Sequence, residues 1–254
     1  MTIRLSSGIS SNYLPRATRY LESVKRFFLA DGSGGVKPLM FAVDYPPSNR
    51  DLLGVPCQPL MFEQMRLQLP KRMMQNGQFV PFAPKDWLDD DVVIFTDADS
   101  YFQRAFSEAE LAAFDAVAPG EFLADYNCPN HYQTLLSEAG DLFTKKPMSR
   151  IEELLPGMGG YECYNWGFVV ARLSTWRELM ERTTALWPTV DACFDNPARV
   201  QLACIYAANQ PGMRISRLPP GCHAHGHHGV QTGLTKDNDV WRLNGEVVAF
   251  AHAL

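Results

Sequence analysis

The chain has 254 residues and a formal net charge of −5, a length that suits one medium-sized domain. The mild acidity supplies no large cationic field for gripping nucleic acid regardless of sequence, although a local basic groove is compatible with it. Six cysteines (Cys57, Cys128, Cys163, Cys193, Cys204 and Cys222) are scattered without a CxxC pair, which reads as reduced thiols in a cytoplasmic protein. The N-terminus has no apolar h-region, and no run approaches the roughly 18 residues of a membrane span, so a soluble chain with no transmembrane segment is expected.

"TIRLSS" alternates as a first strand, and "GISSN" after it carries turn formers. From Leu14 the period changes. Leu14, Ala17, Leu21, Val24 and Phe28 recur at steps of three and four, an amphipathic helix that "DGSGG" closes. "PLMFAVDY" predicts a second strand, and "PLMFEQMRLQLPKRMMQ" a helix up to Leu69 with a break at Pro70. "DVVIFTDAD" is a short apolar strand suited to the centre of a parallel or mixed sheet covered on both faces. "SEAELAAFDAV" sets Ser107 three residues before Glu110, a capping-box spacing that starts a helix near Ser107. "EFLADY", "NWGFVVAR" and "GMRISRL" are further strands. "STWRELMERTTALW" and "PARVQLACIYAAN" are helices, the second with proline in its first turn. Strands alternate with helices, with no repeat and no dividing linker. That pattern predicts one α/β domain over residues 1–254, built on a central, mostly parallel mixed sheet flanked by helices.

The strongest chemical signal is "VVIFTDADSYF", where an apolar strand ends by offering Asp97 and Asp99 from one turn. Two hard oxygen ligands so arranged suit Mn²⁺ or Mg²⁺, which fill their remaining positions with water and phosphate oxygens. The same pattern opens the haloacid-dehalogenase type of phosphatase, with Asp97 as nucleophile and Asp99 as general acid. That alternative needs a downstream lysine and acidic pair. "TKDND", Thr235 to Asp239, is the only such cluster, and no apolar strand leads into it. A solvated turn at a strand end is the bland reading.

Six segments in order resemble the nucleotide-sugar glycosyltransferases of the GT-A fold, in particular the glycogenin and lipopolysaccharide galactosyltransferase group. "SGISSNYLPRATRYLESVKR" is similar to that group's first strand, nucleotide loop and helix, where an Asn-Tyr pair grips the base. Asn12 and Tyr13 match it. "MRLQLP" resembles its donor-contacting arginine helix, which implicates Arg66, and "TDADSYF" its metal motif. "YNWGFVVARLSTWRE" resembles the segment whose asparagine approaches the sugar, and Asn165 matches it. "RVQLACIYAAN" resembles a helix start with a glutamine near the anomeric carbon, here Gln201. "VVAFAHAL" resembles the final strand, whose histidine, here His252, completes the metal site.

The resemblance implies a metal-dependent hexosyltransferase that moves a sugar from a nucleotide-diphosphate donor, a UDP-sugar foremost, with retention. Asp97, Asp99 and His252 would hold Mn²⁺ or Mg²⁺. Gly8, Ser10, Asn12, Tyr13, Arg66, Asp97 and Ala98 would bind the donor, and Asp125, Asn165 and Gln201 would act at the sugar. Asp125 is added because it follows a second apolar strand, and strand carboxyl ends share one crevice in an α/β sheet. A turn former is its bland reading. A glycan, lipid-linked or protein acceptor fits the acidic chain better than DNA. A non-catalytic nucleotide-sugar-binding protein on the same fold is a further alternative.

The sequence departs from that group in three places. Val200 stands where a carboxylate usually precedes the glutamine, Ser10 where an aspartate often reads uracil, and no lysine follows the metal histidine. Five of the six histidines lie from His223 onward, four of them in "CHAHGHHG". With Cys222 that cluster reads as a zinc site, a substrate loop or plain surface. For the other candidates the bland readings are packing for Tyr13, a surface ion pair for Arg66, an exposed polar residue for Gln201 and a satisfied strand histidine for His252.

Overall fold

A computed structural model describes residues 1–30, 35–61, 79–128, 146, 148–161, 163–194, 199–224 and 233–252. Strand β1 (Ile3–Ser6) leads to β2 (Gly8–Ser10), helix α1 (Leu14–Val24), β3 (Val36–Pro38), β4 (Met40–Val43), β5 (Asp51–Leu52), β6 (Val55–Leu60) and β7 (Val92–Thr96). Next come β8 (Tyr101–Phe102), α2 (Glu108–Asp115), β9 (Glu121–Cys128), α3 (Met148–Leu154), β10 (Cys163–Arg172), α4 (Leu173–Cys193) and α5 (Arg199–Ala208). The chain continues through β11 (Arg214–Arg217), β12 (His223–Ala224), β13 (Leu234–Asp237), β14 (Val240–Leu243), β15 (Glu246–Val247) and β16 (Phe250–Ala251).

The frame is a six-stranded sheet of order β11-β9-β10-β7-β1-β3. β1 pairs parallel with β3 and β7, β9 pairs parallel with β11, and β10 runs antiparallel to both of its neighbours, so the sheet is mixed. Every residue of β7 is buried, as its unbroken apolar run predicts for a central strand. Side-chain alternation divides that strand between two cores. Val93 and Phe95 pack with Trp176 of α4 and Ile205 of α5, while Val92 and Ile94 pack with Leu21 of α1 and Phe114 of α2. Helices thus cover both faces. Each large apolar side chain buried this way contributes about 1.5–3 kcal/mol before ordering entropy is set against it.

The three-and-four spacing of α1 buries Ala17, Leu21, Val24 and, within the π-helical turn that follows, Phe28. At α2 the Ser107 hydroxyl accepts from the Glu110 N–H, and the Glu110 carboxylate accepts from the Ser107 N–H, which completes the capping box. Four of the cysteines, Cys57, Cys193, Cys204 and Cys222, are buried and free. Among the described residues no helix is long and apolar enough to cross a membrane.

Several expectations are corrected. Gly8–Ser10 is a strand and not a turn, because the chain leaving β1 pairs parallel with β4 in a second sheet of order β2-β4-β6-β5. "PLMFAVDY" divides at Leu39, with β3 in the main sheet and β4 in the second. Pro59 and Leu60, expected to open a helix, end β6 opposite Ala42 and Val43. The rest of that expected helix, with Arg66 and Pro70, lies outside the described residues. Of the described part of "VVAFAHAL", Val247 ends β15 and Phe250–Ala251 forms the closing strand.

Candidate active site

Asp97 leaves β7 directly after Thr96, and its N–H donates to the Gly167 carbonyl of β10 at 2.8 Å. The chain turns through Asp99 and enters β8, which pairs antiparallel with β16 so that Tyr101 faces Ala251. His252 follows Ala251 and is carried back to the two aspartates, while its N–H donates to the Ala224 carbonyl beside β12 at 2.8 Å. Its Nε2 lies 3.8 Å from Asp97 Oδ2 and 3.7 Å from Asp99 Oδ1. One donor atom from each of the three side chains falls within 4.8 Å of the others.

These residues fit a divalent ion. Separations of 3.7 and 3.8 Å are too long for hydrogen bonds. Two donors each about 2.1 Å from one ion sit up to about 4.2 Å apart, which spans those values. Two carboxylates with an imidazole suit Mn²⁺, and Mg²⁺ would draw chiefly on the oxygens. The His252 Nδ1 is buried without a hydrogen-bond partner among the described residues, so the ring is oriented by packing and by its backbone.

A bulge in β10 brings the next candidate to the same place. Asn165 pairs with Asp125 and Val169 with Ala124, so Trp166, Gly167 and Phe168 are extra residues facing β9. Asn165 is buried, and its Oδ1 accepts from the Gly167 N–H at 2.7 Å. A Cβ built on Gly167 would meet Asp97 Oδ2 at 2.8 Å, His252 Cε1 at 2.8 Å and Asn165 Oδ1 at 2.9 Å. Glycine is what lets three candidate side chains converge there.

Because β7 and β9 both run antiparallel to β10, Asp125 emerges at the same end of the sheet as Asp97, as the strand-end reading expects. Behind Asp125 stands His223, whose Nδ1 is 3.6 Å from Asp125 Oδ2 and whose side chain is wholly enclosed. Sequence reasoning treated His223 only as part of a histidine-rich loop. The structure instead draws Cys222 and His223 into the core through the parallel pairing of β12 with β16. Among the described residues no metal-binding group includes either one, and His225, His227 and His228 lie outside those residues.

Gln201, on α5, donates from Nε2 to the Tyr164 carbonyl at 3.0 Å, one residue from Asn165. Val200 beside it is a core residue, which accounts for an apolar group where the resembling family carries a carboxylate. Tyr13 caps α1, and its hydroxyl stands near Asp99. Burial, followed by the charge of Asp99, pushes that phenol up to about 12. At the loop's exposed edge the Ser10 hydroxyl donates to Asn12 Oδ1 at 2.6 Å. Ala98 is buried between the two aspartates. Gly8 has a packing role, since a Cβ there would lie 1.9 Å from the Phe79 ring.

"TKDND" is a surface hairpin. Asn238 and Asp239 turn between β13 and β14 with φ of 46° and 66°, and Lys236 lies 3.4 Å from Asp239 and over the Trp241 ring. Asp239 also accepts through its carbonyl from the Tyr101 hydroxyl at 2.6 Å and lies 3.8 Å from Arg19, so the cluster sits on the surface beside α1 and β8.

No protein-family model and no curated protein matches the sequence. Solved structures do match its fold. The galactosyltransferase LgtC, in complex with donor and acceptor sugar analogues, aligns with a TM-score of 0.57 at 12% identity over 98% of this chain and 86% of its own. Mouse xyloside xylosyltransferase 1, in its apo form, aligns with a TM-score of 0.59 at 12% identity over 100% of this chain and 98% of its own. An active-site mutant of LgtC with glutamine changed to glutamate aligns with a TM-score of 0.54 at 11% identity over 98% and 86% of the two chains. The chain therefore has the GT-A fold of these glycosyltransferases, from which it has diverged far in sequence.

Proposed function

We propose that the chain is a divalent-metal-dependent glycosyltransferase that moves a sugar from a nucleoside-diphosphate donor, a UDP-sugar foremost, to a glycan, lipid-linked or protein acceptor. The observation that carries this reading is the convergence of Asp97, Asp99 and His252 at the carboxyl end of the central strand, where α/β folds bind ligands. The galactosyl- and xylosyltransferase structures with the same fold support it.

Asp97, Asp99 and His252 would hold Mn²⁺ or Mg²⁺, and that ion would neutralise charge on the departing diphosphate. Tyr13 stands beside Asp99 and, with Ser10, Asn12 and the helix start, would receive the nucleotide end. Gly8, Arg66 and Ala98 would complete that end. Asn165, Gln201 and Asp125 would surround the sugar. The Asp125 carboxylate would accept from a sugar hydroxyl, and the side chains of Asn165 and Gln201 would steady positive charge developing at the anomeric carbon. An active-site glutamine in LgtC supports the role given to Gln201. Transfer with retention is part of this reading through the family resemblance, and the role of Gln201 is compatible with it. The chain acts as one domain over residues 1–254.

The test is incubation of the purified chain with a panel of nucleotide sugars and Mn²⁺. Donor hydrolysis that requires the metal and disappears in Asp99→Ala is the expected result. Turnover of a generic phosphomonoester through an aspartyl-phosphate at Asp97 would replace this reading with a phosphatase. Metal-dependent nucleotide-sugar binding without turnover, across an acceptor panel, would replace it with a non-catalytic binding protein.

A further inference from the structure

We infer that His223 is a positioning residue of this site, bracing the His252 ring with its face and polarising the nearby Asp125 carboxylate with its Nδ1 edge. The inference rests on the transferase reading for its kinetic consequence and on geometry for the contact itself. The His223 side chain is wholly enclosed, stacked on Phe168 at 5.8 Å and 23° and tilted against Phe250 at 5.7 Å and 43°. Such an aromatic slot favours phenylalanine, because an enclosed imidazole must have its polar atoms compensated. Two neighbours of the candidate site lie against the imidazole. Asp125 Oδ2 lies 3.6 Å from Nδ1, and the His252 ring stacks on His223 at 6.0 Å and 29°.

Both neighbours belong to the candidate site, and each gains from the contact. The His252 Nδ1 has no hydrogen-bond partner among the described residues, so the plane of the ring that faces Asp97 and Asp99 is set by stacking and by the β12–β16 ladder. β12 supplies both restraints, through His223 itself and through the Ala224 carbonyl that accepts from the His252 N–H. On its other edge Nδ1 faces one Asp125 oxygen at 3.6 Å, beyond hydrogen-bond distance, so an Nδ1–H there would act on the carboxylate through its dipole and leave both oxygens open to a sugar hydroxyl. His223 thereby couples the metal-side histidine to the sugar-side carboxylate without touching substrate.

The test compares His223→Phe with His223→Asn. Phenylalanine keeps the aromatic packing and loses the nitrogen. Asparagine loses the packing but sets an amide N–H near the position of Nδ1. The expected result is that His223→Phe melts within a few degrees of the parent, yet metal-dependent donor hydrolysis loses at least about tenfold in kcat with KM changed by less than about threefold. His223→Asn, though less stable, recovers part of that loss. The reverse order, an active His223→Phe and an inactive His223→Asn, would overturn the inference.

A second measurement does not depend on turnover. Long-range ¹H–¹⁵N spectra of the parent should show His223 as the Nδ1–H tautomer, with an Nδ1 shift that moves in Asp125→Asn. An Nε2–H tautomer, or no response to Asp125→Asn, would overturn the inference whatever the activity. If the tautomer is as expected but no nucleotide sugar is turned over, the transferase reading fails and the His223–Asp125 contact stands.

Discussion

Gly167 and Asp97 approach so closely that a methyl group built on the glycine would come within 2.8 Å of the Asp97 carboxylate. The same methyl would crowd His252 and Asn165, so Gly167→Ala must displace candidate metal ligands. Overpacking of this kind costs about 1–3 kcal/mol. The expected outcome is a fall of at least about tenfold in Mn²⁺ affinity, equivalent to about 1.4 kcal/mol. Calorimetric titration with Mn²⁺ beside a thermal melt checks it. An unchanged affinity would show that the two side chains relax freely.

Tyr13 stands near Asp99, and with its phenol pushed up to about 12 by burial and by Asp99 it remains neutral through the ordinary pH range. A cation at Asp99 must be accommodated beside the phenol that crowds that carboxylate. Tyr13→Phe is therefore expected to tighten Mn²⁺ binding in the absence of nucleotide by a few-fold and to weaken nucleotide binding. A raised phenol also predicts no inflection in Mn²⁺ affinity between about pH 8 and 10, where an unperturbed tyrosine begins to titrate. Looser Mn²⁺ binding in Tyr13→Phe would contradict this.

The frame was legible in the sequence because its signals are local. The unbroken "VVIFT" run, the spacing in α1 and the Ser107–Glu110 capping box each follow from backbone geometry within one element. The second sheet was not legible, because "GIS" is a strand only by virtue of its pairing with Met40–Val43, a contact that polar composition does not announce. Tertiary context overrides propensity in such segments. Two hairpin turns, Asn238-Asp239 and Asn244-Gly245, adopt the positive φ that their residue types favour, and the Asn-Gly pair was a readable sign of the β14–β15 turn. Asp97, Asp99 and His252 could be assembled in advance only through the family resemblance. Nothing within "AFAHAL" indicates that β8 will pair with β16 and return the histidine to the aspartates. His223 had no sequence signal beyond its type, since its meaning lies in the Asp125 and His252 side chains around it.

Asp91 ties the start of β1 to the start of β7. The carboxylate is almost wholly buried and accepts from the Thr2 N–H at 2.8 Å and from the Arg4 guanidinium at 2.9 and 3.0 Å. Burial pushes the carboxyl up, but the Thr2 N–H, Arg4 and the Leu88 N–H together outweigh it and hold the group below its ordinary value. A depressed carboxyl contributes stability that is fully present above its unfolded value, about 3.9, and is lost as pH falls through the lower folded value. Glu110 and Glu121 shift in the same direction, so stability should fall in acid below about pH 4. Asp91→Asn leaves Arg4 without its buried partner and should cost about 3–5 kcal/mol at neutral pH. It should also flatten part of the acid slope, which urea unfolding at pH 7 and about pH 4 would measure. An Asp91→Asn chain with parental stability would contradict this.

The metal site makes opposite predictions for the apo and loaded chains. Asp97 and Asp99 present two carboxylates within 4.8 Å of one another and of His252, and without a cation two like charges at that range repel. Asp99→Ala removes one of them, so in EDTA it should melt at or slightly above the parent temperature. Mn²⁺ reverses the order, because a ligand that binds only the folded chain stabilises it by about 2.7 kcal/mol at a hundredfold excess over Kd. The parent should gain several degrees in Mn²⁺, Asp99→Ala almost nothing, and His252→Ala an intermediate amount, since it keeps both oxygen ligands and loses only the imidazole. Melting curves for the three chains with EDTA and with Mn²⁺ decide the matter. An equal Mn²⁺ gain in all three would mean that the ion binds elsewhere, and a parent that does not respond would mean that these side chains hold no ion.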